Sequence, residues 1–501
     1  MDPEKLPQTT TEQVPTPLHD LDQAHGYLQS HAEADVALDS DIDRITRKVD
    51  WVIIPLLFLC FGIQGMDKQV ISYAAVMGLQ KDLKLQGEDY SNAASALFIA
   101  SLVFEFPNIY IINKVPPAKW LAGNCVLWGI ATACMAATHN AKSLIACRVF
   151  IGIFEAAVYP ATALIIGQYY RKDKSGVRFM FMGVSIGATI IIGALLSYGF
   201  QHVHGTALAG WRILCLLLGL LSSALGFVLW IFLPDTPMKA RFLNESEKFI
   251  LLRHISVNKT GVRSTTFRIK HLLELVSDPQ VWMFTILNTA GMICTGFTLS
   301  YVPQIIATFG FSKPNSALLS APGGLVSMIT NLVVGALLNT PLPRAAVVSV
   351  PFALTFVAGC LLTFAPRSNR AASLAGVYLV NCGPVTFIAI YHWVSANVAG
   401  HTKRPAVMAI VTAGFCAGSL IGPQTFRAHE APEYRSAKIT LLSTQAAMLV
   451  LTLAMGLYYW AINKSRDVKY GKSGLLSCAG ADLSVWENLT DRERHSFRYM
   501  S

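Results

Sequence analysis

The chain has 501 residues, of which 53 % are hydrophobic and only 14 % charged, with a formal net charge of +10. A soluble domain carries about 25 % charged residues, so this chain lacks the polar surface to coat a water-facing globule. Its Lys and Arg residues sit between apolar blocks, where the bias of basic loops to the cytoplasmic face of a membrane explains the charge, and no nucleic-acid partner is expected.

Residues 1–48 are polar and acidic with several prolines and read as a disordered cytoplasmic tail. Arg44, Arg47 and Lys48 then precede the first apolar block, which is the flank of a membrane helix rather than of a cleavable signal peptide. Apolar blocks follow at approximately 50–78, 91–113, 118–138, 142–170, 177–200, 211–233, 280–308, 316–340, 345–366, 371–399, 405–426 and 438–462. About 20 apolar residues span a bilayer as a helix, so these predict about twelve spans. Cys60, Cys125, Cys134, Cys147, Cys215, Cys294, Cys360, Cys382 and Cys416 lie inside the blocks without a CxxC pair, as small packing residues rather than a disulfide frame or a metal site.

Charge orients the spans. Lys114 and Lys119, the group Arg171, Lys172, Lys174 and Arg178, the run Lys239 to Lys270, Arg344, and Lys403 with Arg404 occupy one alternating set of connections. Both terminal flanks belong to that set, which places both termini in the cytoplasm. The glycosylation patterns at Asn244, Asn258, Asn463 and Asn488 all fall on this side and are expected to stay unmodified.

The long basic connection at 234–279 splits the spans six and six, giving halves at 49–233 and 280–462 and a cytoplasmic tail at 463–501. Weak internal symmetry agrees: Gly183, Gly187 and Gly193 in the fifth span match Gly414, Gly418 and Gly422 with Pro423 in the eleventh. The predicted fold is all-α, with twelve transmembrane helices in two six-helix halves, which describes the major facilitator fold and its solute site near the midplane.

An ionisable residue at the bilayer centre costs roughly 2.5–3.5 kcal/mol on insertion scales, so it faces a partner or a cavity. Asp67-Lys68 in the first span and Arg148 with Glu155 in the fourth stand out. Arg148 and Glu155 are seven apart, which returns them to nearly one helix face about 10.5 Å apart along the axis. One reading is structural, with Asp67 paired to Arg148 and Lys68 or Glu155 at the water boundary. The other is functional: the cations hold an anionic solute and a carboxylate carries a coupling proton. Glu105, before Phe106-Pro107-Asn108, reads as structural. Asn288, Asn381 and the cluster Tyr391-His392-Trp393-x-Ser395-x-Asn397 supply polar groups able to hydrogen-bond a solute or a neighbouring helix. Gly183-Val-Ser185-Ile-Gly187 matches a hydrolase pattern, but that chemistry needs a strand–turn–helix elbow and this copy lies in an apolar helix. No enzyme, metal or cofactor is expected.

Several stretches together resemble one family. Met66 through Gly78, Glu105-Phe-Pro-Asn108, Arg148 through Pro160, Gly210-Trp-Arg212, Leu233-Pro-Asp-Thr-Pro237 and Asn397 through Arg404 look like the anion:cation symporter branch of the major facilitators, in particular the fungal allantoate permease family. The resemblance runs from about 45 to 465. It implies proton-coupled uptake of a small organic anion, an allantoate-like ureido acid or a carboxylate vitamin such as nicotinate, across the plasma membrane by a monomer. It assigns Asp67 and Glu155 to proton coupling and Lys68 and Arg148 to the solute. Asn288, Tyr391, Trp393 and Asn397 are added to the solute set from their polar character. Lys68 stands where relatives usually have Arg, which replaces a planar fork with a point charge. The charged motif that usually follows the second span reads only Asn113-Lys-Val-Pro-Pro-Ala-Lys119. Two alternatives on the same fold are an exporter of an organic anion and a nutrient sensor that binds without flux.

Overall fold

The computed structural model describes residues 41–203, 208–256, 274–338, 340–366, 369–399, 403–426, 430, 434–470, 490–493 and 497–500. The predicted N-terminal tail up to residue 40 and the centre of the middle loop lie outside the described residues, as do Asn258 and Asn488.

The helices run in the predicted order. The first span is α1 (Ile42–Val76), the second α2 (Asp89–Lys114) and the third α3 (Pro117–Met135). The fourth comes in two pieces, α4 (Ala141–Glu155) and α5 (Val158–Tyr169), followed by α6 (Lys172–Gln201) and α7 (Gly210–Phe232) as the fifth and sixth. A helix in the middle connection, α8 (Glu245–Ser256), precedes α9 (Pro279–Thr308), the seventh span. The eighth is again split into α10 (Lys313–Leu318) and α11 (Ala321–Leu338), and the ninth is α12 (Arg344–Phe364). The tenth is split into α13 (Arg370–Val380) and α14 (Gly383–Asn397), and α15 (Lys403–Gln424) and α16 (Arg435–Tyr470) complete the set. Among the described residues nine of these passes are long and apolar enough to cross a membrane, and α2, α3 and α9 fill the remaining predicted places. Large apolar side chains stand exposed on the outer faces, as at Ile231, Val450 and Leu457, a surface suited to lipid.

Two boundaries differ from the predicted ones. The first helix starts at Ile42, because its polar opening turns pack on α8, where Lys48 pairs with Glu247. That contact holds the Glu247 carboxyl below its usual value: burial opposes the charge, but Lys48 and the Asn244 amide outweigh it. The last helix continues to Tyr470, and part of the predicted C-terminal tail is folded against the protein.

The three split spans share a cause. Pro160, Pro322 and Pro384 each sit two or three residues past the break. Proline lacks an N–H, so the carbonyl four residues earlier loses its helical donor. In a membrane that carbonyl must find another donor. The Ala156 carbonyl takes the Asn108 side-chain amide at 3.1 Å, and the Val380 carbonyl takes the Cys294 thiol at 3.8 Å. Asn108 in turn accepts from the Trp120 indole at 2.6 Å. The Asn108→Leu change is therefore expected to lower the melting temperature of purified protein, since each orphaned buried group costs about 1–3 kcal/mol. An unchanged melting curve would remove Asn108 from this role.

Packing divides the helices into two groups. The first span packs on the fifth and sixth, the second on the fourth, and the third on the fourth and sixth. The seventh packs on the tenth, eleventh and twelfth, and the ninth on the twelfth. The groups meet where the fifth span lies on the eighth, the second on the eleventh and the first on the seventh. Glycine sets the closest approach: a Cβ on Gly187 would fall 2.5 Å from the Gly324 carbonyl oxygen, and one on Gly324 would fall 2.4 Å from that of Gly187.

Candidate functional site

The first span lies at the centre, so the segment from Gln64 to Ala74 is buried throughout. Successive residues on a helix point about 100° apart, so Asp67 and Lys68 reach different neighbours. Asp67 turns into the N-terminal group of helices. Its carboxylate accepts from the Trp128 indole at 2.9 Å and the Ser222 hydroxyl at 3.0 Å. Arg148 does not pair with that carboxylate. Its guanidinium donates to the Asp67 main-chain carbonyl at 3.2 Å, and its Nε finds no partner among the described residues.

Lys68 turns to the seam between the two groups. Its ammonium lies 3.7 Å from the Glu155 carboxylate and 3.3 Å from the Tyr159 hydroxyl. It also sits over the rings of Tyr159 and Phe415, at 4.8 and 5.4 Å from their centroids. Among the described residues neither Glu155 oxygen has a hydrogen-bond partner, so what holds the carboxylate there is the Lys68 charge. The two side chains are 7 % and 1 % exposed, so the pair is shielded from water. This arrangement differs from the Asp67–Arg148 pairing considered from sequence, because α1 presents Lys68 to the fourth span and Asp67 to the third and sixth.

Aromatic rings from both groups wall the pair. Tyr159 meets Phe387 at 4.8 Å and Phe415 at 5.6 Å, while Phe387 meets Phe415 at 4.7 Å and Tyr391 at 4.4 Å. Contacts bridge the seam at both ends. At the end predicted to face outward Tyr301 contacts Tyr90 at 5.6 Å and stacks on Phe426 at 4.3 Å, and Gln424 donates to Ser95 at 3.0 Å. At the other end the His392 ring lies against Gly176, leaving no room there for a Cβ. Only a gap of about 10 Å³ remains near that first end, lined by residues that include Gln69, Ser72, Tyr73, Ser320 and Asn381.

The other polar residues read from sequence make contacts with neighbouring elements. Asn288 donates to the Val411 carbonyl at 2.7 Å, tying the seventh span to the eleventh. Tyr391 bonds its hydroxyl to Thr412 while its ring joins the aromatic wall. Trp393 packs between Phe284 and Tyr459, and its indole donates to the Met500 carbonyl at 2.8 Å. Asn397 also binds Met500. Neither residue contacts the Lys68–Glu155 pair: both are held by the chain's own C-terminal segment. Glu105 is 2 % exposed and makes no ion pair among the described residues. Sequence reading missed Trp128, Ser222, Tyr159, Phe387 and Phe415. Only Tyr159 had a signal, lying one helical turn beyond Glu155.

Lys403, at the start of α15, is ringed by Glu274, Asp278 and Asp491 at 2.9, 2.7 and 2.8 Å. Burial opposes its charge, but Asp491 and Asp278 outweigh that and hold it above the usual lysine value.

A model of the Major Facilitator Superfamily matches residues 57–423. The chain belongs to that superfamily. Its relatives include the thiamine pathway transporter of Saccharomyces cerevisiae, 33 % identical over 91 % of this chain and 86 % of that protein. The allantoate permease of the same yeast is 30 % identical over 96 % of this chain and 90 % of that protein. The proton:xylose symporter structure bound to 6-bromo-6-deoxy-D-glucose shares the fold, with a TM-score of 0.63, 16 % identity and coverage of 82 % of this chain and 95 % of that one. The predicted major facilitator fold and the likeness to the allantoate permease are thus borne out, and the chain is a multi-pass membrane protein whose relatives are transporters.

Proposed function

We propose that this major facilitator imports a small organic anion together with a proton, by alternating access at the Lys68–Glu155 pair. The observation that carries the reading is that pair: two opposite charges, buried at the seam, too far apart for a hydrogen bond and walled by rings from both groups of helices. When the outer seal opens, a proton reaches Glu155. The neutral acid releases Lys68, whose ammonium then takes the solute carboxylate. The neutralised site closes outside and opens inside, where the solute leaves and Glu155 loses its proton. Asp67 is the weaker candidate for coupling, because two hydrogen bonds already satisfy one of its carboxylate oxygens. Arg148 acts on the solute through its charge, one helix behind Lys68.

The aromatic wall supports a solute with a flat group beside its carboxylate, such as the ureido group of an allantoate-like acid or the ring of nicotinate, since planar groups stack on such rings. The allantoate permease relative supports the same class. Lys and Arg asymmetry supports cytoplasmic termini, and the plasma membrane is the proposed location. The carrier is proposed to act as a monomer.

Uptake of labelled allantoate, ureidosuccinate, nicotinate, pantothenate and biotin tests this in cells expressing the chain, at outside pH 5 and 7.5. One of them should enter faster at acid pH and lose that advantage with a protonophore. Efflux of a member of the panel without uptake would favour an exporter, and binding without flux a sensor.

A further inference from the structure

Residues 490–493 and 497–500 are built into the face predicted to be cytoplasmic. Thr490 and Glu493 close a turn reciprocally, each amide bonding the other's side chain, at 2.9 and 3.2 Å. Asp491 is fully buried. Its carboxylate takes the Lys403 ammonium at 2.8 Å, the Gln280 amide at 2.8 Å and the Tyr499 hydroxyl at 2.7 Å. Arg466 donates to the carbonyls of Phe497 and Asp491 at 2.6 and 3.2 Å.

Two asparagines then grip successive peptide units. Asn463 donates to the Tyr499 carbonyl at 2.7 Å and accepts from its amide at 3.0 Å. Asn397 does the same to Met500 at 3.0 and 2.8 Å, and the Trp393 indole adds a bond to that carbonyl. The Tyr499 ring stacks on Tyr459 at 5.1 Å and 19°. Main-chain groups read in pairs fix the register of the segment, and those donors and acceptors are buried without a partner if it leaves.

The consequence reaches the seam through the tenth span. The break at Asn381-Cys382 separates α14 from α13, so α14 is not held along its axis by a continuous helix. Its outer part carries Phe387 and Tyr391, and its inner end carries Trp393 and Asn397. Phe387 and Trp393 are six residues apart, about 9 Å along one helix. The tail joins that inner end to the cytoplasmic ends of the seventh, eleventh and twelfth spans.

We infer that residues 490–493 and 497–500 form a strap that positions α14 and, on the proposed function, the aromatic side of the solute site. It acts through Trp393 and Asn397, which are positioning residues rather than contacts for solute.

Hydrogen–deuterium exchange on the detergent-purified full chain tests this, beside a chain lacking residues 490–501 and a full-length chain carrying Asp491→Ala with Tyr499→Ala. In the wild type the tail amides should be protected. In both variants the amides of 385–397 should exchange at least tenfold faster while those of α4 stay unchanged. A synthetic peptide of residues 488–501 should restore protection to the shortened chain. Tail amides exchanging at the rate of free peptide in the wild type would overturn the strap. Unchanged exchange at 385–397 in the variants, or an equal rise throughout the chain, would overturn its positioning role.

Discussion

Replacing Lys68 by alanine is expected to cost the carrier its anion, with affinity for the transported carboxylate falling about 10- to 150-fold. The Lys68 ammonium is the cation at the seam that faces the aromatic wall, and a hydrogen bond to a charged group contributes about 1.5–3 kcal/mol. The loss converts to that range of affinity at about 1.4 kcal/mol per factor of ten. Removing Lys68 also leaves Glu155 as an uncompensated buried charge, which costs about 3–5 kcal/mol unless it takes a proton. The alanine variant should therefore hold its Glu155 protonated. Lys68→Arg keeps the charge but presents a planar fork, and should retain binding with altered preference among carboxylates. Equilibrium binding of labelled allantoate and nicotinate to purified protein checks this. Wild-type affinity in Lys68→Ala would move the anion site elsewhere.

Glu155→Gln should separate solute movement from the proton. Glutamine imitates the protonated acid permanently, so Lys68 stays free and solute exchange continues. Accumulation should then vanish: where the wild type concentrates solute about tenfold per unit of inward pH gradient, from about 1.4 kcal/mol per proton, the variant should reach equal concentrations on both sides. Asp67→Asn should behave differently. It disturbs the bonds from Trp128 and Ser222, so it should lower thermal stability by about 1–3 kcal/mol while leaving accumulation coupled. Proton-driven accumulation intact in Glu155→Gln and lost in Asp67→Asn would exchange their roles.

The fold was legible because its signals are long. Blocks of about 20 apolar residues and the side preference of Lys and Arg survive errors of a few residues at any boundary. The breaks in the fourth, eighth and tenth spans were not read, although Pro160, Pro322 and Pro384 marked them. Hydrophobicity continues through a break, and only hydrogen-bond accounting exposes it. Asn108 illustrates the limit: its motif was visible, but its role follows from a carbonyl on another helix.

The candidate site was legible as a set of residues and not as a set of pairs. Asp67, Lys68, Arg148 and Glu155 drew notice because charge in an apolar helix is costly. Which charge meets which depends on helix rotation, which one chain does not encode in spacing. Adjacent Asp67 and Lys68 end in different surroundings for that reason. Trp393 and Asn397 were placed with the solute from their polarity. Their partner, Met500, lies about a hundred residues further on, in a stretch whose composition gave no sign of order.

Proton movement coupled to solute tests the central claim most directly. Purified protein in liposomes containing a pH-sensitive dye would receive allantoate or nicotinate outside, with no imposed gradient. If protonation of Glu155 frees Lys68 for the carboxylate, the transported acid should bring its proton and acidify the lumen, and Glu155→Gln should carry the same labelled solute without that signal. Labelled solute entering wild-type liposomes at unchanged internal pH would contradict the account.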